Sequence, residues 1–540
     1  MTDQNTFGLM MDDFPLSLTT VVERAEKLTP ARKVVSRRPD GSIHRTTLGE
    51  AAERARHLAT GLKKLGVEDG DRVATLMWNQ PEHLDVYFAV PAMGAVLHTL
   101  NPRLSVDELS FIVSDAEDRV IIVDESTLEV LETFRSAHDF EHVVVVSRSG
   151  SVPDGTIDYD SLLDHSEPMQ WQHLDERRAA AMCYTSGTTG RPKGVLYSHR
   201  ALVLHSLAAA LPNAHAISAR DTILPVVPMF HANAWGLPYV AAFAGSGLVL
   251  PGPRLDAESV LELLADEQVT ITAGVPTVWM AMLAALDAEP DRWNLEHLRL
   301  IIGGGSAVPL SLFEGFERHG IEIVQAWGMT EMSPMGTVNR LPAELDDASS
   351  EQQHEYRLRA GVPQPFIEIR ARGDDGELIP WDDEAMGELE VRGPWVAAEY
   401  FKGRGAERFT EDGWFQTGDV VKINAAGCIR ICDRSKDLVK SGGEWISSVD
   451  LENNLMAHPS VAEAAVIAMP DPRWGERPLA VCVLREGTEA TPDDLRDHLS
   501  EHFAKWQLPD RFEFVEAIPR TATGKFKKTQ LREQFVETTA

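Results

Sequence analysis

Cysteine is scarce. The 540 residues hold four, Cys183, Cys428, Cys432 and Cys482, with no Cys-x-x-Cys pair. That excludes a disulfide-built secreted scaffold and argues against a structural zinc. Long apolar runs are missing too: the two most apolar stretches, 86–100 and 237–250, are interrupted by proline, glycine or histidine, and neither reads as a membrane-spanning helix. The opening MTDQNTFGLMMDDFPL lacks a basic segment followed by an apolar one, so no secretory signal is expected and the expected compartment is the cytoplasm. Positive charge is also in deficit, with 51 Lys and Arg against 83 Asp and Glu and a formal net charge of −32. Such a surface repels phosphate backbones and anionic lipid, so neither nucleic acid nor a membrane surface is the expected partner.

The length suggests about three to four folding units at roughly 150 residues each, enough for a large core. Leu48, Ala51, Ala52, Ala55, Leu58, Ala59 and Leu62 recur every three or four residues ahead of Gly66, which predicts a helix over 47–65. A strand over 72–78 follows, and strands then alternate with helices: 120–123, 143–146, 223–227, 269–273 and 298–302 against helices near 128–135, 257–267 and 278–286. Apolar strands separated by helices predict an α/β fold with mainly parallel sheets buried on both faces. After about residue 365 the texture shifts to short strands, 366–371, 387–392, 420–424 and 428–432, between Gly and Asp turns, the pattern of a β-rich antiparallel subdomain. From 433 onward, helices near 449–457 and 492–502 and strands near 463–468, 479–484 and 512–516 predict a small α+β unit.

The densest chemical feature is Tyr184-Thr185-Ser186-Gly187-Thr188-Thr189-Gly190-Arg191-Pro192-Lys193-Gly194. Hydroxyls, glycines and a lysine in so short a stretch suit phosphate, because glycines let the backbone approach while N–H groups and the ammonium offset negative charge. It is not a Walker A loop, since Pro192 stands where the second glycine belongs.

This segment resembles the phosphate loop of the adenylate-forming superfamily, which comprises acyl- and aryl-CoA synthetases, luciferases and the adenylation domains of peptide synthetases. Further stretches in the same order carry the resemblance: Gly303-Gly304-Gly305-Ser306, Gln325-Ala326-Trp327-Gly328-Met329-Thr330-Glu331, Trp414-Phe415-Gln416-Thr417-Gly418-Asp419, Asp433-Arg434-Ser435-Lys436-Asp437, and Pro519-Arg520-Thr521-Ala522-Thr523-Gly524-Lys525. The resemblance runs from about residue 20 to the end. It implies an N-terminal adenylation domain over 1–432, with two stacked sheets and the β-rich subdomain at about 365–432, and a mobile C-terminal domain over 433–540 hinged at Asp433.

The resemblance also assigns roles. Thr185, Ser186, Gly187, Thr188, Thr189 and Lys193 would hold the ATP phosphates, and Gly304, Gly305 and Ser306 would line the adenine and acyl sites. Of the stretch Gln325 to Thr330, Trp327 replaces the usual tyrosine and would stack on adenine. Glu331 and Thr185 would bind Mg²⁺, a hard cation suited to oxygen ligands. Asp419 and Arg434 would fix the ribose, and Lys525 would hold the charge that develops as a carboxylate attacks the α-phosphate. Lys440, Gly442, Gly443, Glu444 and Trp445 would serve the second step, in which domain rotation swaps the Lys525 loop for theirs and admits coenzyme A.

His231 stands where peptide-synthetase domains usually place an aspartate for the substrate ammonium, so a simple carboxylic acid is expected rather than an amino acid. Trp235 resembles a tryptophan that gates the alkyl tunnel of long-chain fatty acyl-CoA synthetases, and Gly303 would leave room beside the pocket. The expected activity is a fatty acid–CoA ligase for medium- or long-chain acids, using ATP, Mg²⁺ and coenzyme A. Alternatives are a short-chain or 3-methylthiopropionate-type ligase, an acyl-AMP ligase loading a carrier protein, a luciferase-type oxygenase and a non-catalytic nucleotide sensor. Relatives implied by the resemblance often pair through the N-terminal domain, so a homodimer is a further expectation.

Overall fold

The computed structural model describes residue 11 and residues 14–164, 167–185, 191–442, 444–520 and 526–536. Two sheets dominate its first 365 residues. One has seven strands in the order Ile157–Asp158, His142–Val146, Val120–Asp124, Arg72–Leu76, Val96–Thr99, Ala179–Tyr184 and Gly194–Ser198. All its pairings are parallel except the last. The other has nine strands, from Val362–Pro363 at one edge to Ile43–Thr47 at the other, with a parallel centre of six.

Helices Leu18–Leu28, Leu48–Lys64, Pro81–Ala92, His199–Ala210 and Leu237–Ala244 share one core with strands of both sheets. Pro81–Ala92 is buried along its whole length apart from Glu82, and its buried His83 and Asp85 are paired, with Thr75 and Arg54 respectively. Leu48–Lys64 matches the periodicity of its sequence, and its start is fixed by Thr47 and Glu50, which cap each other's backbone N–H groups. Among the described residues no helix is long and apolar enough to cross a membrane.

A four-stranded antiparallel sheet follows, in the order Glu368–Arg372, Gly387–Arg392, Phe415–Ile423 and Ile429–Arg434. Here the third strand starts five residues earlier than its sequence suggests. Gly418, with φ of 73°, lets the strand pass through what reads as a turn, and a register shift at Val420 and Val421 restores pairing. Asp419 therefore lies in a strand, opposite Arg434.

The last unit is a five-stranded sheet with helices on both faces. Strand Val461–Asp471 alternates beyond a register shift at Val461 to Glu463: Ala464 and Val466 face helices Ser448–Ala457 and Pro492–Ser500, whereas Ala465 and Ile467 face helix Lys528–Phe535. The fold is thus α/β, with a large N-terminal part of mainly parallel sheets, a β-rich subdomain and a small α+β C-terminal part.

Candidate functional site

The parallel strands deliver their C-terminal ends, and with them their following loops, to one cavity of about 500 Å³, the place where α/β sheets ordinarily bind ligands. Thr185, Lys193, His231, Trp235, Gly304, Gly305, Ser306, Gln325, Ala326, Trp327, Gly328, Met329, Thr330, Glu331, Asp419 and Arg434 all line it. Ser186, Gly187, Thr188, Thr189, Gly443 and Lys525 lie outside the described residues.

Asp419 lines the cavity at 3% exposure. Its Oδ2 accepts the indole N–H of Trp327 at 2.8 Å, and its Oδ1 pairs with Arg434 Nε at 2.6 Å. Each carboxylate oxygen keeps a second lone pair, so the arrangement fixes the carboxylate and leaves it able to accept two hydroxyl groups. Trp327, 8% exposed, thus does more than offer an aromatic face: it anchors a residue 92 positions away. The expectation from sequence missed this second role.

Glu331, 9% exposed, sits on a short 3₁₀ turn, Thr330–Met332. Its Oε1 accepts the hydroxyl of Tyr400 at 2.5 Å, and its backbone carbonyl accepts the Ala397 N–H. Thr330 is held through its carbonyl by the hydroxyl of Tyr197. Burial, and then the neighbouring Glu331 charge, push the Tyr400 phenol above its ordinary range, so it remains a donor. Tyr400 also lies under Lys193, whose Nζ is 5.5 Å from the ring centroid. No spacing in the sequence points to Tyr400.

Thr185 and Lys193 hold each other through one backbone and one side-chain hydrogen bond. Thr185 N–H donates to Lys193 O at 2.9 Å, and Lys193 N–H donates to Thr185 Oγ1 at 3.1 Å. Among the described residues no three His, Cys, Asp or Glu side chains converge on a metal site. Glu331 and Thr185 both line the cavity with oxygen groups of the kind Mg²⁺ takes, and such an ion would bring phosphate oxygens and water as its remaining ligands.

Gln325 is engaged otherwise. Its Oε1 accepts the Val308 N–H and its Nε2 donates to Arg359 O, so its amide pins the loop after Gly305 to the segment near 359. Gly328 is required by space, because a Cβ there would lie 1.8 Å from Pro334 O.

The apolar end of the cavity is built around a left-handed turn. Ala232, Asn233, Ala234, Trp235 and Gly236 have φ of 43°, 55°, 50°, 54° and 74°, a conformation costing about 1–2 kcal/mol per non-glycine residue. Cys183 Sγ donates to Asn233 Oδ1 in the core beneath. The turn presents Trp235 to Gly304, where an added Cβ would lie 3.1 Å from the indole, with Pro276, Met280 and Ile302 nearby. Gly303 is a correction: strand alternation turns it the other way, and a Cβ there would strike Val308 at 2.7 Å. Gly304, not Gly303, leaves room beside Trp235.

Among the described residues, Lys440, Gly442, Glu444 and Trp445 of the second step do not line this cavity. Lys440 Nζ bonds Asp374 Oδ2 at 2.6 Å, and Lys440 and Trp445 line a separate cleft between the β-rich sheet and the C-terminal unit. Gly442 packs on Trp474, and Glu444 is exposed. The described flanks of Lys525, namely Arg520 and Phe526 to Thr529, line the large cavity instead.

The AMP-binding enzyme family matches residues 22–401, and the AMP-binding enzyme C-terminal domain matches 450–525. The chain is 49% identical to a long-chain-fatty-acid–CoA ligase of Thermus thermophilus, covering 98% of both chains. It is 43% identical to a medium-chain-fatty-acid–CoA ligase of Ectopseudomonas oleovorans, covering 98% of this chain and 97% of that one. The solved anthranilate CoA ligase AuaEII in complex with anthranoyl-AMP superimposes with a TM-score of 0.86 at 25% identity, over 98% and 99% of the two chains. With both parts matched, and relatives aligned over nearly the full length, the chain belongs to the AMP-binding enzyme family.

Proposed function

We propose that the protein is an ATP-dependent carboxylate–CoA ligase acting on medium- or long-chain fatty acids. In the first step a carboxylate oxygen attacks the α-phosphorus of ATP, the bond to pyrophosphate breaks, and acyl-AMP forms. In the second the sulfur of coenzyme A attacks the acyl carbonyl, AMP leaves, and the thiol proton passes to solvent. The observation that carries this reading is the shared cavity, in which the Trp327–Asp419–Arg434 clamp, Glu331, Thr185 and Lys193 stand beside an apolar wall at Trp235.

Asp419 would accept the ribose hydroxyls while Arg434 holds its orientation. Lys193, with Thr185, Ser186, Gly187, Thr188 and Thr189, would neutralise phosphate oxygens, and Glu331 with Thr185 would bind the magnesium that accompanies them. Lys525, by the family resemblance, would stabilise the charge at the α-phosphate in the first step, and Lys440 with Gly442 to Trp445 would replace it in the second after rotation at Asp433. His231 offers no carboxylate for a substrate ammonium, which supports a plain acid. The fatty chain is supported by the apolar wall and by the two named relatives. A cytoplasmic location rests on the sequence, and pairing of two chains through the N-terminal domain rests on the resemblance.

Incubating the protein with ATP, Mg²⁺ and dodecanoate, without coenzyme A, should yield dodecanoyl-AMP by chromatography, and adding coenzyme A should convert it to dodecanoyl-CoA. Absence of the adenylate would defeat the proposal.

A further inference from the structure

A lysine suits the first turn of a helix poorly, because the free N–H groups there carry positive partial charge. Lys528 nevertheless opens helix Lys528–Phe535, with a side chain only 12% exposed. A buried ammonium persists where its charge is matched and its protons find acceptors. Its Nζ lies 2.7 Å from Glu452 Oε1 and donates to Ser448 Oγ at 2.5 Å. Glu452 also accepts the Val466 N–H at 2.7 Å. Ser448 in turn donates its backbone N–H to Asp433 Oδ2 at 3.0 Å. Burial alone would lower the Lys528 ammonium, but the Glu452 and Asp433 carboxylates outweigh it and hold the charge in place.

The last of these contacts crosses a boundary. Asp433 belongs through its backbone to the antiparallel sheet, where it pairs with Val420, whereas Ser448, Glu452 and Lys528 belong to the C-terminal unit. Beside it, Ser447 Oγ donates to Cys432 O. Lys528 also stands three residues beyond Lys525 in sequence. Arg520 and Phe526 form a β-bridge, and Lys527 N–H donates to Pro519 O. Lys528 is therefore linked through Ser448 to the proposed hinge carboxylate, and it follows the bridged pair Arg520 and Phe526 in sequence.

We infer that Lys528 is a positioning residue for the first half-reaction: paired with Glu452 and joined through Ser448 to Asp433, it holds the C-terminal unit in the arrangement that sets Arg520 and Phe526 to Thr529 at the cavity. The inference rests on the ligase reading with Asp433 as hinge. It requires that losing Lys528 slow acyl-AMP formation more than the reaction of acyl-AMP with coenzyme A.

The test compares the parent protein with Lys528→Arg, Lys528→Met and the pair Lys528→Met with Glu452→Gln, the last removing the uncompensated carboxylate should the single variant fail to fold. Three quantities are read on each: single-turnover acyl-AMP formation without coenzyme A, thioester formation from supplied acyl-AMP, and the distance distribution between spin labels at Glu384→Cys and Glu486→Cys. For the paired variant acyl-AMP formation should slow about 5- to 150-fold, the range of ordinary conformational coupling, through kcat rather than the KM for ATP. Thioester formation should fall far less, the label distances should broaden, and Lys528→Arg should recover most of the first half-reaction. Equal loss in both halves, an unchanged distance distribution, or full activity of the paired variant would overturn the assignment. If the parent protein forms no acyl-AMP at all, the ligase reading fails, while the distance comparison still decides whether Lys528 holds the two units together.

Discussion

The indole N–H of Trp327 meets Asp419 Oδ2 at 2.8 Å, inside a site where the other carboxylate oxygen is held by Arg434. An aromatic residue at this place thus acts on the nucleotide partly through its grip on a carboxylate. Phenylalanine keeps the face and loses the donor. Trp327→Phe should raise the KM for ATP about 10- to 150-fold, the value of a hydrogen bond to a charged group, with little change in kcat at saturating ATP. An unchanged KM would mean that Arg434 alone fixes Asp419.

Tyr400 bears on Glu331 in a similar way. Tyr400→Phe leaves the ring in its cluster with Phe409 and Phe415 and removes only the hydroxyl. The Mg²⁺ concentration for half-maximal rate should rise about tenfold or more, while the melting temperature barely moves. Because the phenol is pushed upward by burial and by Glu331, it keeps its proton across the working range. The Mg²⁺ requirement of the parent protein should therefore stay flat toward alkaline pH, up to about pH 10, which a Mg²⁺ titration at several pH values reads directly.

The wall between Gly304 and Trp235 should set acyl length. Gly304→Leu puts its side chain against the indole and the Ala326 carbonyl. The optimum should move to shorter acids, with discrimination of about 10- to 200-fold for each methylene that no longer fits. Trp235→Ala should broaden the range toward longer chains. kcat/KM over a series of straight-chain acids checks both.

All four cysteines are buried, and burial pushes Cys183 to about 11 and Cys432 and Cys482 to about 12. A thiol held above its ordinary range is ionised less, so reactivity should appear only on unfolding or at strongly alkaline pH. Ellman's reagent at pH 8 should find essentially no thiol in the native protein and four after denaturation.

Much of this was legible in the sequence where the signal is local. The periodicity of 47–65 marks a real helix, Leu48–Lys64, and contiguous stretches such as 325–331 and 304–306 do converge on one cavity. What escaped depends on partners far apart or on unusual backbone. Trp327 and Asp419 are 92 residues apart, and Lys528 and Ser448 are 80 apart, so no window contains either pair. Asp419 reads as a turn residue because Gly418 precedes it, yet a positive φ lets the strand continue. The left-handed turn at Ala232 to Gly236 is hidden because Ala-Asn-Ala-Trp looks like ordinary helix. Gly303 and Gly304 are alike as letters, and only strand alternation decides which of them faces the cavity.

AMP release over a panel of acids, from acetate to oleate with 3-methylthiopropionate, benzoate and several amino acids, each with and without coenzyme A, bears most directly on the proposed chemistry. Turnover that requires coenzyme A and peaks at medium or long alkyl chains is the predicted result. Acyl-adenylate that forms but never passes to coenzyme A, or turnover confined to amino acids, would contradict it.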